Sequence, residues 1–193
     1  MMAKEFMIAY PEENMRKYEL INGIVYKYPS PYTIHQELIG FLTPKLYELS
    51  KKDKTKYFMF LPFDVYLFDD GKEDECNTVV QPDLFICDKA KIKKDGCYGT
   101  PDFIIEIIGE ATGFIDTYTK LNKYWLSGVK EYWTIEPEEG NILVLKFNRE
   151  NKKAEGEFFT FNDKVKSYVL EGLEIDFSQF EYEFEEKVIY NKL

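Results

Sequence analysis

Glu106 is a single carboxylate inside the apolar run Phe103-Ile104-Ile105-Glu106-Ile107-Ile108. Burying an unpaired carboxylate costs several kcal/mol, so a proton, a basic side chain or a metal ion must compensate it. Nothing within the run supplies a local cation. Asp83 follows Pro82 at the start of a second apolar run, Leu84-Phe85-Ile86-Cys87. Alone, an aspartate in that position reads first as a turn residue. Two carboxylates on neighbouring strands can share one hard divalent cation through oxygen, and magnesium, which keeps several waters, needs no further protein carboxylate. Lys120 stands on a helix expected to follow the Glu106 strand directly, at the border of an apolar face made by Leu121, Tyr124 and Trp125. It can lie across that strand. Spacing alone equally allows an exposed i,i+4 pair with Asp116, worth a few tenths of a kcal/mol.

The elements that must position these residues are partly visible. Asn22-Gly23 between the apolar stretches 18–21 and 24–28 is a strong hairpin signal. A helix opens at Ser30-Pro31, or is capped by Thr33 with Gln36 three residues on. Ile34, Leu38, Leu42, Leu46 and Leu49 give it an apolar face, and Pro44 predicts a kink or break near Thr43. Strands are expected over 57–68, with Pro62 at an edge or bend, and over 79–87, with Pro82 near the start. The near-continuous apolar run 103–108 implies a strand buried on both faces. A helix over 116–126 ends at Gly128. Strands follow over 131–136, 141–147 and 156–161. A strand, a helix and a further strand suggest a crossover unit, so the fold class is α/β with a central mixed sheet.

The 193 residues suit one domain, 1–193, and the 45 % hydrophobic and 17 % aromatic content is ample for a packed core. No stretch of about 18 apolar residues occurs, which argues against a membrane span. The first residues lack the apolar core and cleavage site of a signal peptide. Cys76, Cys87 and Cys97 are spaced for neither a disulfide framework nor a zinc knuckle and read as reduced cytoplasmic thiols. The net charge of −10 runs against a simple nucleic-acid binder, whose affinity rests on phosphate neutralisation. Binding to DNA would need metal ions, a partner or a local basic patch. Lys51, Lys52, Lys54 and Lys56 form one candidate patch and Lys89, Lys91, Lys93 and Lys94 another, although each also reads as a solvated loop.

Several segments in order resemble one family: Tyr18-Glu19-Leu20-Ile21-Asn22-Gly23, then His35, Gln81-Pro82-Asp83-Leu84, Thr100-Pro101-Asp102 running into the Glu106 strand, Lys120 onwards to Gly128-Val129-Lys130-Glu131-Tyr132-Trp133, and Val169-Leu170-Glu171-Gly172-Leu173-Glu174-Ile175-Asp176. They resemble the Uma-type restriction-endonuclease family of the PD-(D/E)XK nuclease superfamily, over about 18–180. The Pro-Asp-Leu and Gly-Val-x-Glu-Tyr-Trp segments together carry the specificity of the match.

The resemblance implies a restriction-endonuclease-like core with helices flanking the mixed sheet, and a metal-dependent endonuclease acting on DNA. Asp83 matches the motif aspartate and Glu106 the motif acidic residue. The lysine usual two positions later is replaced by Ile108, and Lys120 on the next helix matches the displaced lysine. Asp83, Glu106 and the Ile107 carbonyl would hold Mg2+ or Mn2+, with Lys120 orienting water or stabilising developing charge. Where the family usually has Ser-Pro after the glutamate, this chain has Gly109-Glu110. His35, the sole histidine, matches a family position and reads as a hydrogen-bonded helix residue or a substrate contact. Glu37 is a weaker candidate for an extra site carboxylate. Trp125, Tyr132 and Trp133 read as core. Enzymes of this type that cut both strands imply a homodimer. The competing reading is a nucleic-acid- or protein-binding module that keeps the fold without catalysis.

Overall fold

The computed structural model describes residues 1–10, 18–28, 30–60, 63–68, 72–109, 115–151 and 153–182, leaving aside the side chains of 57–60 and 115–117. Helix α1 spans Ala3–Ala9 and strands β1 and β2 span Tyr18–Ile21 and Ile24–Lys27. The hairpin expected at Asn22-Gly23 forms as a two-residue turn, with φ +51° at Asn22 and +81° at Gly23. Positive φ at both positions matches the twist of the flanking strands, which is why this dipeptide works there.

Helix α2 spans Thr33–Lys52. It begins behind an extended Tyr32 with no side-chain cap, so neither expected opening, at Ser30-Pro31 or through a Thr33 cap, is used. Pro44 lies inside it and the helix runs on, so of the kink or break expected near Thr43 the break does not occur. An interior proline costs a helix about 3 kcal/mol. Ile34, Leu38, Leu42 and Leu46 are all buried on one stripe, and each contributes about 1.5–3 kcal/mol, so packing outweighs the proline. Thr43 Oγ1 donates to the Ile39 carbonyl at 2.6 Å one turn earlier.

Strands β3 (Lys56–Phe60), β4 (Val65–Tyr66), β5 (Val79–Val80), β6 (Leu84–Asp88), β7 (Cys97–Tyr98) and β8 (Phe103–Ile107) follow. Both strands expected through 57–68 and 79–87 are divided between two sheets. Gln81-Pro82-Asp83 separates β5 from β6, because proline donates nothing to a ladder. Pro62 lies outside the described residues. After a π-helical turn over Ile115–Lys120, helix α3 spans Leu121–Ser127 and stops at Gly128, φ +98°, as expected. Strands β9 (Glu131–Glu136), β10 (Asn141–Asn148), β11 (Lys153–Thr160), β12 (Lys164–Lys166) and β13 (Glu174–Asp176) come next.

The six-stranded sheet has the order β11-β10-β9-β8-β6-β3 and the five-stranded sheet β2-β1-β5-β4-β7. Only β8 and β9 run parallel in the larger sheet, joined by the crossover through α3. The expected mixed α/β sheet is therefore present. Alternation along β8 sends Phe103, Ile105 and Ile107 to a core shared with α2, and Ile104 to a second core that includes Tyr124, Tyr132 and residues of the smaller sheet. Glu106 shares the Ile104 face by the two-residue period of a strand. Glu131 is fully buried at the start of β9, and its carboxylate accepts from Trp133 Nε1, Ser167 Oγ and the backbone N–H groups of Tyr168 and Val169. It ties the C-terminal segment onto the sheet.

Candidate active site

The split at Pro82 places Asp83 at the seam between the two sheets. Strands β6 and β8 are antiparallel with Leu84 opposite Ile105. Asp83 is the bend residue immediately before Leu84, so it lies beside the Glu106 end of β8. The Ile107 N–H donates to Asp83 Oδ2 at 2.7 Å, and the Asp83 N–H points at Glu106 Oε2 at 3.4 Å. Backbone and side chains thus lock the two acids across the strand ends. Both are buried, at 5 % and 3 % exposure.

Lys120 reaches the same point from the junction of the π-turn with α3. Its Nζ stands 3.0 Å from Glu106 Oε1 and 3.0 Å from Glu19 Oε1, at 2 % exposure. The cation that the β8 sequence did not supply locally comes from the next helix. The ring of Tyr28 lies 5.1 Å from the same ammonium. The alternative pairing of Lys120 with Asp116 involves a side chain outside the described set.

Two residues of this cluster were not among the sequence candidates. Glu19 on β1 receives the Gln81 N–H at 2.6 Å as well as Lys120, so it couples the hairpin to the Asp83 turn. Tyr124, one turn after Lys120, donates its hydroxyl to Glu106 Oε1 at 2.7 Å. Burial pushes the Tyr124 hydroxyl well above its ordinary range and the Glu106 charge adds to that, so it stays a neutral donor. Both residues had a signal: a glutamate inside a short apolar strand, and a tyrosine four residues after a lysine on one helix face.

His35 on the first turn of α2 meets the site at Asp83. Its Nε2 is 3.1 Å from Asp83 Oδ1. Glu37 is exposed, and among the described residues no contact brings it to the cluster. Glu110 lies outside the described residues. The lysines suggested as basic patches are partly engaged elsewhere: Lys51 with Glu48, Lys93 with Glu73, and Lys56 with both Asp88 and Asp102 at 2.6 Å. Trp133 and Tyr132 are fully buried as expected of core, whereas Trp125 is only partly so. Cys76, Cys87 and Cys97 are free, buried thiols.

Three carboxylates, Glu19, Asp83 and Glu106, therefore meet one lysine and one histidine in a buried space. The acids outnumber the fixed cation, which is the electrostatic condition for attracting a metal ion. Among the described residues no three His, Cys, Asp or Glu side chains already converge as a ligand set. The hard oxygens of Asp83 and Glu106 nevertheless suit a water-rich divalent ion, which needs few protein ligands.

The mixed sheet with its flanking helices has a counterpart among solved structures. A solved structure from Anabaena variabilis, described as a "putative nuclease belonging to DUF820", matches with a TM-score of 0.72, covering 92 % of this chain and 96 % of that one at 17 % identity. The likeness is one of fold. The chain belongs to the Uma2 family, described as "Putative restriction endonuclease", whose model matches residues 3–178. No curated protein matches it. Among the described residues no helix is long and apolar enough to cross a membrane.

Proposed function

We propose that this chain, as one nuclease domain, is a metal-dependent endonuclease that hydrolyses phosphodiester bonds of DNA, using Mg2+ or Mn2+. The observation that carries the reading is Asp83 held at the Glu106 end of β8 by the Ile107 N–H, with Lys120 Nζ 3.0 Å from Glu106. Asp83, Glu106 and the Ile107 carbonyl would hold the ion. When bound, such an ion polarises a phosphate oxygen and lowers the pKa of a coordinated water.

The chain's own residues divide the remaining work. The Ile107 N–H fixes Asp83 Oδ2 and His35 Nε2 faces Oδ1, so both oxygens of this carboxylate are oriented by the chain. Tyr124 and Lys120 hold Glu106 through Oε1 and set its orientation. Lys120, released from one of its two carboxylates, stabilises the negative charge that develops on the phosphate. Glu19 keeps that ammonium in place meanwhile. An acidic protein needs this local positive charge all the more, since its net charge repels DNA. The enzyme acts in the cytoplasm as a two-fold homodimer, the arrangement that presents one site to each strand of a duplex.

The test separates ligands from the lysine. Asp83→Ala should abolish cleavage and weaken Mg2+ binding. Lys120→Ala should slow cleavage strongly while binding Mg2+ in calorimetry. A wild-type protein that binds no divalent ion at millimolar concentration contradicts the proposal and leaves a non-catalytic binding module.

A further inference from the structure

We infer that Tyr28 is a positioning residue for Lys120, holding the ammonium through the face of its ring while the lysine turns from a carboxylate to the substrate phosphate; this rests on the nuclease reading above. Lys120 Nζ stands 3.0 Å from Glu19 Oε1 and 3.0 Å from Glu106 Oε1, and the centroid of the Tyr28 ring lies 5.1 Å from the same nitrogen. An ammonium within about 6 Å of an aromatic centroid is attracted by the negative face of the ring, and the attraction grows as water is removed. Lys120 is only 2 % exposed, so the ring acts on it with little screening.

Glu19 and Tyr28 belong to one hairpin. Glu19 on β1 pairs with Tyr26 on β2, and Tyr28 follows β2 directly. The Glu19 carboxylate is tied down by the Gln81 N–H at 2.6 Å. The hairpin therefore presents a fixed anion and an aromatic face to a lysine that arrives from the start of α3. The two act differently. A carboxylate at hydrogen-bond distance competes with a phosphate for the ammonium, and two carboxylates together favour the resting position. A ring face attracts the cation without a directed hydrogen bond, so it keeps the charge in place yet lets it turn towards the phosphate. Position 28 then affects turnover and leaves substrate binding alone.

The test keeps the shape of the ring and changes only its electrons. Full-length protein with Tyr28→Phe, or with mono-, di- or trifluorinated phenylalanine at position 28, is assayed on plasmid DNA with Mg2+, alongside Tyr28→Leu. Tyr28→Phe should keep kcat within about threefold, and Tyr28→Leu should lower it about tenfold with KM unchanged. Within the fluorinated series, log kcat should fall stepwise with each fluorine. In the metal-free protein, the Lys120 Hε resonances should be shifted upfield by the ring in the wild type and in Tyr28→Phe, and should lose that shift in Tyr28→Leu. A flat fluorine series overturns the inference and leaves Tyr28 as a space-filling residue. A loss in Tyr28→Phe equal to that in Tyr28→Leu also overturns it, because the hydroxyl would then carry the effect. Unshifted Lys120 resonances in the wild type overturn it and leave the nuclease reading standing. A wild type that cleaves no DNA with either Mg2+ or Mn2+ overturns both.

Discussion

Lys120→Met isolates the electrostatics of the cluster, because it keeps the apolar stem and deletes the ammonium. Glu19 Oε1 and Glu106 Oε1 each lie 3.0 Å from Lys120 Nζ, so they are at most 6.0 Å apart. At that distance and an effective dielectric constant of about 20, two like charges repel by about 3 kcal/mol. Both carboxylates are buried, and removing one partner of a buried ion pair costs about 3–5 kcal/mol in general. The two figures agree. The variant should therefore lose about 3–5 kcal/mol, measured by urea unfolding at pH 7 without metal. For a chain of this size that corresponds to a fall in Tm of about 6–20 °C. Adding Glu19→Gln to Lys120→Met removes one of the two opposed charges and should recover about 2–3 kcal/mol. A Lys120→Met protein within about 1 kcal/mol of wild type, or no recovery on adding Glu19→Gln, refutes the reasoning.

Tyr124→Phe removes a neutral donor from the buried Glu106 carboxylate and should cost about 1.5–3 kcal/mol in thermal or urea unfolding; an unchanged Tm contradicts the assigned hydrogen bond. Burial alone would raise the Asp102 carboxyl, but hydrogen bonds from Lys130 and Lys56 outweigh it and hold the group below its ordinary range. A depressed folded value adds stability above the unfolded value, near pH 4, and loses it as pH falls through the folded value. The stability gap between wild type and Asp102→Asn should therefore narrow from about pH 5 down to about pH 2, and an equal gap at both ends contradicts this.

Local signals were enough where an element is specified by its own residues. Asn22-Gly23 set the hairpin, Gly128 ended α3, and the apolar run around Glu106 became a strand buried on both faces. The mixed sheet followed from the strand–helix–strand order. The divisions between β3 and β4 and between β5 and β6 were not legible, because which sheet a short strand joins depends on partners far away in sequence. Val79 pairs with Leu20 and Tyr66, whereas Leu84 pairs with Ile105 and Phe60. That Pro44 does not break its helix has a related reason: a helix-breaking residue is outvoted by a leucine stripe whose core lies elsewhere in the chain. Asp83, Glu106 and Lys120 were visible as types and as matches to a family, and the structure brings them together. Glu19 and Tyr124 join them only through the fold. Nothing within β1 says that Glu19 faces a lysine so far along the chain.

The central claim is that Glu106 acts through its charge. Glu106→Gln preserves shape, and its oxygen can still accept from Tyr124 or Lys120. Cleavage of supercoiled plasmid DNA by wild type and Glu106→Gln, measured across a Mg2+ titration, is the direct measurement. The account predicts Mg2+-dependent nicking by the wild type and its loss in the variant at every Mg2+ concentration. Full metal-dependent activity in Glu106→Gln, or wild-type cleavage indifferent to Mg2+, would contradict it.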